Sequence, residues 1–373
     1  MSAPTLIVTG TRAEFGLLLP VMRAVDAHPD LSLRVAVTGT HPLPPASTID
    51  EVRAHARVDA VVPMQEPGAL GRADDALALG RGVSGFAELC ASDPPAWVVV
   101  LGDRIEALAA AAAASVSGVR VAHLHGGDRA AGVADDAMRH SISKLAHLHL
   151  PATDASAERL VRLGEPPEFV RTIGSTSVDA LSHTAPMPDD EHAGLGAPDT
   201  VFLMHPVGRD DAAERDAAAG ALAALAGRRV LALHPNHDPG RQGVLAAIRD
   251  AAVYSAHHLP RDRFLALLKR LAGTGGVLVG NSSAGLIEAA ALQLPAVDIG
   301  DRQSGRERAD NAVHAEESTP TISGALTRAL ALDRAALTHP YGDGNAGGRA
   351  AEALAAALDP AVQPRLTRKL NTY

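Results

Sequence analysis

Short, unbroken apolar runs alternate with longer helical patterns along almost the whole of this chain, and that rhythm narrows the fold more than any other feature. The runs Thr5–Thr9, Leu33–Val37, Ala60–Val62, Trp97–Leu101, Val119–Leu124 and His147–Leu150 read as strands. Helical patterns separate them near Phe15–Ala27, Asp74–Cys90, Glu106–Val116 and Asp136–Leu145. A strand apolar at every position is buried on both faces, and the helices between such strands carry the chain back for parallel pairing. After Asp179 a stretch rich in proline, glycine, aspartate and histidine, Ser182–Asp199, reads as a connection. The rhythm then resumes, with strands at Val201–Met204, Val230–Leu233, Val277–Val279 and Ala296–Ile299 and helices near Asp211–Ala226, Arg263–Leu271 and Ala284–Leu292. The expectation is an α/β chain of two doubly wound, Rossmann-like domains facing a cleft, residues 1–180 and 181–345. A last helical pattern, Ala346–Leu358, is expected to return to the first domain, with a loosely ordered tail after Pro360. Ligands of such folds collect outside the carboxyl ends of the strands, so chemistry is sought there.

The composition agrees with that class and closes off others. The 373 residues are too many for one ordinary core and suit two. Hydrophobic residues are 46% and charged residues 21%, a globular balance, and aromatics at 2% favour helices laid on sheets over an all-β sandwich. Lys and Arg number 34 against 43 Asp and Glu, a net −9, so no nucleic-acid partner is expected and any phosphate should sit in a local pocket. A single cysteine, Cys90, excludes an internal disulfide and a cysteine-rich metal cluster. Met1–Gly10 lacks the basic and long apolar regions of a signal peptide, and the apolar run Leu108–Ala114 is too short to span a bilayer. A cytoplasmic protein with no membrane partner is expected.

Several strand ends carry the residues that chemistry needs. At the first, Gly10 permits a tight turn, the helix that follows offers free N–H groups to an anion, and Arg12 is placed to grip a phosphate. The segment is neither GxGxxG nor a P-loop, and a plain turn with a surface arginine reads equally well. Gly280-Asn281-Ser282-Ser283-Ala284-Gly285-Leu286-Ile287-Glu288 follows another strand. Its amides and hydroxyls can cradle a diphosphate without a cation cluster, and Glu288 could accept both hydroxyls of a ribose. An N-cap serine followed by a surface glutamate is the plainer reading.

The richest region is Gly102-Asp103-Arg104, then His123-Leu124-His125-Gly126-Gly127-Asp128, then Asp135, Asp136, Arg139, His140 and Lys144. Asp136, Arg139, His140 and Lys144 share one helix face, which surface ion pairs alone could explain. They do not explain acids and imidazoles at two strand ends. His123-x-His125 and His147-x-His149 also raise zinc, which would need three or four converging ligands; hydrogen-bonded core or cleft histidines are the commoner case. His205-Pro206 and His234-Pro235 end two strands of the second half, and Arg302 and Arg306 lie on a polar loop that reads as solvated or as an anion clamp.

In order and spacing these motifs resemble the UDP-N-acetylglucosamine 2-epimerases, and among them the hydrolysing branch. The resemblance runs through TGTRAEFGLL near Thr9, LGDRIEALA near Asp103 and HLHGGD…DDAMRHSISKLAHLH from His123. It continues through GNSSAGLIEA from Gly280, GDRQSGRER from Gly300 and YGDGNA at Tyr341–Ala346. It implies a two-domain fold of the glycosyltransferase-B type, a UDP-sugar substrate, a homodimer or homotetramer, and neither cofactor nor metal. It implies a reaction in two stages: loss of the C2 proton with departure of UDP gives a glycal, then water adds at C1 as C2 is protonated from the other face. By this resemblance Asp103, Asp128 and Asp135 are the acid–base candidates and His205 assists. Arg12, Ser282, Ser283 and Glu288 hold UDP, and His125, Arg139, His234, Asn281, Arg302 and Arg306 complete the binding set. Non-hydrolysing relatives commonly carry lysine near Leu17 and Glu-Ala-Gly at His125-Gly126-Gly127, so the letters here favour the hydrolysing branch. Asp128 stands where glutamate is usual, one methylene shorter. His41–Pro45 is unusually proline-rich, and Arg129–Gly132 lacks the usual polar residues. Those departures leave the sugar open, 4-amino and 6-deoxy analogues included. A non-hydrolysing epimerase and a glycosyltransferase on the same fold remain the alternatives.

Overall fold

The computed structural model describes residues 2–44, 47–68, 71–129, 136–235, 238–367, 369 and 372. They form two units, one from residues up to 128, 136–179 and 342 onward, the other from Arg129 and Ala180–Tyr341. The first holds β1 Ala3–Thr9, β2 Leu31–Val37, β3 Ala60–Val61, β4 Trp97–Leu101, β5 Arg120–Leu124 and β6 Leu148–Leu150. All pair in parallel in the order β3-β2-β1-β4-β5-β6. The second holds β7 Thr200–Leu203, β8 Val230–Leu233, β9 Tyr254–Ala256, β10 Val277–Gly280, β11 Ala296–Ile299 and β12 Ala312–Ala315. Its order, β9-β8-β7-β10-β11-β12, repeats the first sheet strand for strand, again all parallel. In each sheet the order reverses beside the first strand, the switch point at which doubly wound folds bind ligands.

Alternation along each strand feeds two cores. Ile7, Val35, Trp97, Val99 and Leu124 face the helices Arg12–Ala27 and Ala346–Ala356, while Leu6, Val8, Ala36, Val98 and Val100 face Arg72–Ser92 and Ile105–Val116. The second unit divides likewise, Phe202, Ala232 and Val279 on one side and Val201, Leu231 and Leu278 on the other. The run of small alanines in Ile105–Val116 buries almost completely, which lets that helix lie close on its sheet.

The helix Ala346–Ala356 belongs to the first unit, where Asp179 accepts hydrogen bonds from Ala346 N at 2.9 Å and Gly347 N at 2.7 Å. A remote carboxylate thus satisfies two N–H groups that a helix start leaves unpaired. The expected loose tail is different: Gln363–Thr367 is helical, Leu366 is buried, and Lys369 Nζ reaches the Glu165 carboxylate and Ala146 O. Glu165 is fully buried and wants cations, which is what orders that segment. The expected helix Ala284–Leu292 is broken into a 3-10 turn, Ser283–Gly285, and a short helix, Glu288–Ala291, because Ser282 caps a tight i→i+3 turn. The connection Ser182–Asp199 contains the helix Asp189–Gly194. Among the described residues no helix is long and apolar enough to cross a membrane.

Candidate functional site

At the first strand–helix turn Thr11 caps the helix by accepting from Glu14 N at 3.4 Å, while Glu14 Oε2 accepts from Gly10 N at 2.9 Å. Burial, with the charge of Glu106 nearby, pushes the Glu14 carboxyl up to about 8 against the pull of that amide, so it is neutral at pH 7. Arg12 pairs with Glu51 at 2.9 Å, both side chains 41% exposed. A pair so exposed contributes about 0–1 kcal/mol, so Arg12 can leave it for a stronger anion.

Beyond β4 and β5 the acids converge on one guanidinium. Arg139, on the helix Asp136–Leu145 and almost fully buried, forms an ion pair through Nη2 with Asp103 Oδ2. Its Nη1 donates to His125 O at 3.1 Å and lies 4.0 Å from Asp128 Oδ2. Asp128 Oδ2 is also 3.6 Å from His125 Nδ1. Two carboxylates from neighbouring strand ends therefore flank one guanidinium. His125 sits just past the strand with φ of 59°, an uncommon conformation outside glycine, and its buried Nε2 has no hydrogen-bond partner among the described residues.

That bend separates the two histidines of the His-x-His pattern. His123 stays in the strand, with Nε2 2.8 Å from Gly102 O and Nδ1 3.1 Å from Ser143 Oγ. Burial pushes its pKa down to about 3, so it is neutral; Nε2–H donates to the carbonyl, and Nδ1 accepts from the serine. His123 thus fastens the turn before Asp103. His147 Nδ1 accepts from Val121 N, and His149 pairs with buried Glu165 at 2.9 Å. The shared helix face divides as well: Asp136 meets His140 at 3.5 Å, and Lys144 meets Glu165 at 2.7 Å, while Arg139 faces the acids. Asp135 lies outside the described residues.

The second unit presents a neutral arrangement. Asn281 clasps the backbone of His205, accepting from His205 N at 2.7 Å and donating to His205 O at 2.8 Å. This ties the ends of β7 and β10 together at the switch point. Gly280 before it, at φ of 150°, lies so close to β7 that a Cβ would fall 2.0 Å from Leu203 O. Burial, helped by the charge of Arg302, pushes His205 down to about 3, so it offers a neutral imidazole. Ser282 Oγ accepts from Ala284 N at 3.4 Å, and Ser283 opens the 3-10 turn. Glu288 is buried and held by both Arg261 nitrogens at 3.3 Å. Arg302 Nη1 and Gln303 Nε2 donate to Asn281 O at 3.2 and 3.0 Å. Arg308 is taken by Asp298, whereas Arg306 Nε is buried without a partner among the described residues. A cavity of about 330 Å³ beside this loop is lined by Val207, Arg209, Gly300, Asp301, Arg302, Glu316 and Glu317. His234 ends β8 against His257, ring centroids 5.4 Å apart.

The family model described as UDP-N-acetylglucosamine 2-epimerase matches residues 23–355. This chain belongs to that family. A UDP-N,N'-diacetylbacillosamine 2-epimerase (hydrolyzing) of Legionella pneumophila is 33% identical, covering 99% of each chain. A UDP-N-acetylglucosamine 2-epimerase of Neisseria meningitidis is 34% identical over 88% of each. The crystal structure of UDP-GlcNAc 2-epimerase from N. meningitidis bound to UDP-GlcNAc shares the fold at a TM-score of 0.79 and 18% identity, covering 94% of this chain and 99% of that one. The two-sheet, glycosyltransferase-B-like architecture is thus that of the 2-epimerases. Sequence patterns missed the residues behind Asp128: Thr153, Ser156 and Arg159 come from another helix and carry no motif of their own.

Proposed function

We propose that this epimerase is hydrolysing: it removes the C2 proton of a UDP-N-acetylhexosamine as UDP leaves C1, then adds water across the resulting glycal. The electron pair of the broken C2–H bond becomes the C1–C2 double bond, and the C1–O pair leaves with UDP. Water then gives its oxygen to C1 while a proton reaches C2 on the opposite face, so a free, C2-inverted sugar results. The observation that carries this reading is the grouping of Asp103 and Asp128 on either side of Arg139, two carboxyl groups placed for proton removal and return. Asp135 is assigned to the same acid–base group. His125, whose Nε2 meets no partner among the described residues, is assigned to the sugar. The second unit is assigned to the nucleoside diphosphate, through Ser282, Ser283, Glu288, Arg302 and Arg306 with neutral His205 as a hydrogen-bond donor; Arg12 and His234 complete the set. Backbone amides and hydroxyls at a helix start suit a diphosphate in an acidic protein.

The full-length relative named for hydrolysis supports that branch and adds UDP-N,N'-diacetylbacillosamine as a substrate beside UDP-N-acetylglucosamine. A proton NMR time course in heavy water with each sugar nucleotide, without added metal, tests both points. UDP and a free sugar deuterated at C2 are expected from one of them. Accumulation of an epimerised UDP-sugar instead would refute hydrolysis.

A further inference from the structure

We infer that Thr153, Ser156 and Arg159 form a positioning relay that aims Asp128 and commits it to the carboxylate state. This rests on the reading of Asp128 as an acid–base group. Ser156 is fully buried in the first turn of the helix Asp154–Arg162, and its Oγ lies 2.8 Å from Asp128 Oδ1. A serine hydroxyl has one proton and two lone pairs. Here both acceptor directions are taken: Thr153 Oγ1 donates to it at 3.0 Å and Arg159 Nη1 at 3.1 Å. Thr153 Oγ1 also accepts from Ser156 N at 3.1 Å as the helix cap. The single serine proton is therefore left for Asp128, and donation to a carboxylate favours the ionised form.

The same arginine holds the turn that carries the acid. Arg159 Nη1 donates to Gly127 O at 2.8 Å. Gly127 has φ of 78° and lies so near the helix that a Cβ would fall 2.3 Å from Ser156 O. One helix end thus sets both the backbone before Asp128 and the direction of its oxygen. The charged and titratable groups described around Asp128 are His123, His125, Arg139 and, through Ser156, Arg159, with Asp103 beyond Arg139. Ser156 touches none of them except Arg159, so its removal changes the carboxylate's hydrogen bonding and leaves its ion pairs in place.

Ser156→Ala deletes the relay while sparing the fold, since the Thr153 cap acts on a backbone N–H and Arg159 keeps Gly127 O. Its expected result is a kcat lower by about tenfold with KM changed less than about twofold, and an acid limb of kcat/KM moved up by about one pH unit. Arg159→Gln should shift that limb in the same direction by less. Carboxyl carbon NMR of the labelled full chain reads the same ionisation without turnover, Asp128→Asn identifying the resonance. A Ser156→Ala protein with an unmoved Asp128 titration and wild-type kcat would overturn the relay. Near-wild-type turnover in Asp128→Asn would instead overturn the acid–base assignment, whatever Ser156 does.

Discussion

The two units repeat one strand order and differ in what stands at the carboxyl edge. In the first, β4 and β5 end in Asp103 and the His125–Asp128 turn, gathered around buried Arg139. In the second, β7 and β10 end in His205 and Asn281, tied by neutral amide bonds, with hydroxyls and backbone N–H groups following. Each edge holds a histidine driven by burial to about 3, and neither serves as a cation. His123 is spent on fastening a carbonyl, whereas His205 is proposed to meet the diphosphate. The difference teaches that the sheet supplies a place, and the loop letters decide whether it does proton chemistry or holds an anion.

Substitutions can break that division. The largest effect is expected at the first edge: Asp128→Asn and Asp103→Asn should each lower kcat roughly a hundredfold or more. UDP affinity, read by calorimetry, should change little. Comparable loss of UDP binding would erase the contrast between units. Next comes Asn281→Ala, which strands the buried backbone of His205. It should lower the stability of the second unit by about 1–3 kcal/mol in a urea melt and weaken UDP binding. Ser282→Ala and Glu288→Gln should follow, each raising the UDP dissociation constant several-fold with kcat nearly kept; a kcat loss with unchanged affinity would assign them to the wrong task.

The smallest effects lie in pH dependence and sharpen the contrast, because the displaced carboxyls of about 8 and about 2 both belong to the first unit. Burial would raise Glu165, but the hydrogen bonds and charges of His149, Lys144 and Lys369 outweigh it and hold it at about 2, below the ordinary 4.5. The folded state then binds fewer protons than the unfolded one, so this stabilisation is present above about 4.5 and fades as pH falls toward about 2. Glu14, raised to about 8, works in the other sense and withdraws stability as pH rises from 4.5 to about 8. Glu165→Gln should flatten the acid side of a stability–pH curve, and Glu14→Gln the neutral side.

Much of this architecture is legible in the letters, for reasons particular residues show. Trp97–Leu101 is buried at every position, so its apolar run has one meaning. The strand Tyr254–Ala256 escapes because it lies at a sheet edge, short and largely exposed, with Tyr254 61% accessible. Ala312–Ala315, at the opposite edge, is similarly short, four residues of which three are only partly buried. The helices Arg241–Asp250 and Thr319–Leu330 are interrupted by Gly243, Pro320 and Gly324, which blur the helical period. At the site, strand-end placement points to Asp103, Asp128 and the neighbouring Arg139, and they do meet. That His123 grips Gly102 O, that Arg261 takes Glu288 or that Asp179 caps a helix far along the chain is illegible, because each partner is set by three-dimensional approach between ordinary residues.

The return of Ala346–Ala356 to the first unit makes the order of synthesis matter. The ribosome has already emitted residues 180–341 when it makes the helix that covers Arg12–Ala27. Until then the nascent first unit carries an apolar face toward water. The second unit, one continuous stretch apart from Arg129 among the described residues, can finish earlier. The half that begins first therefore closes its core after the half that follows it, when Asp179 meets the amides of Ala346 and Gly347.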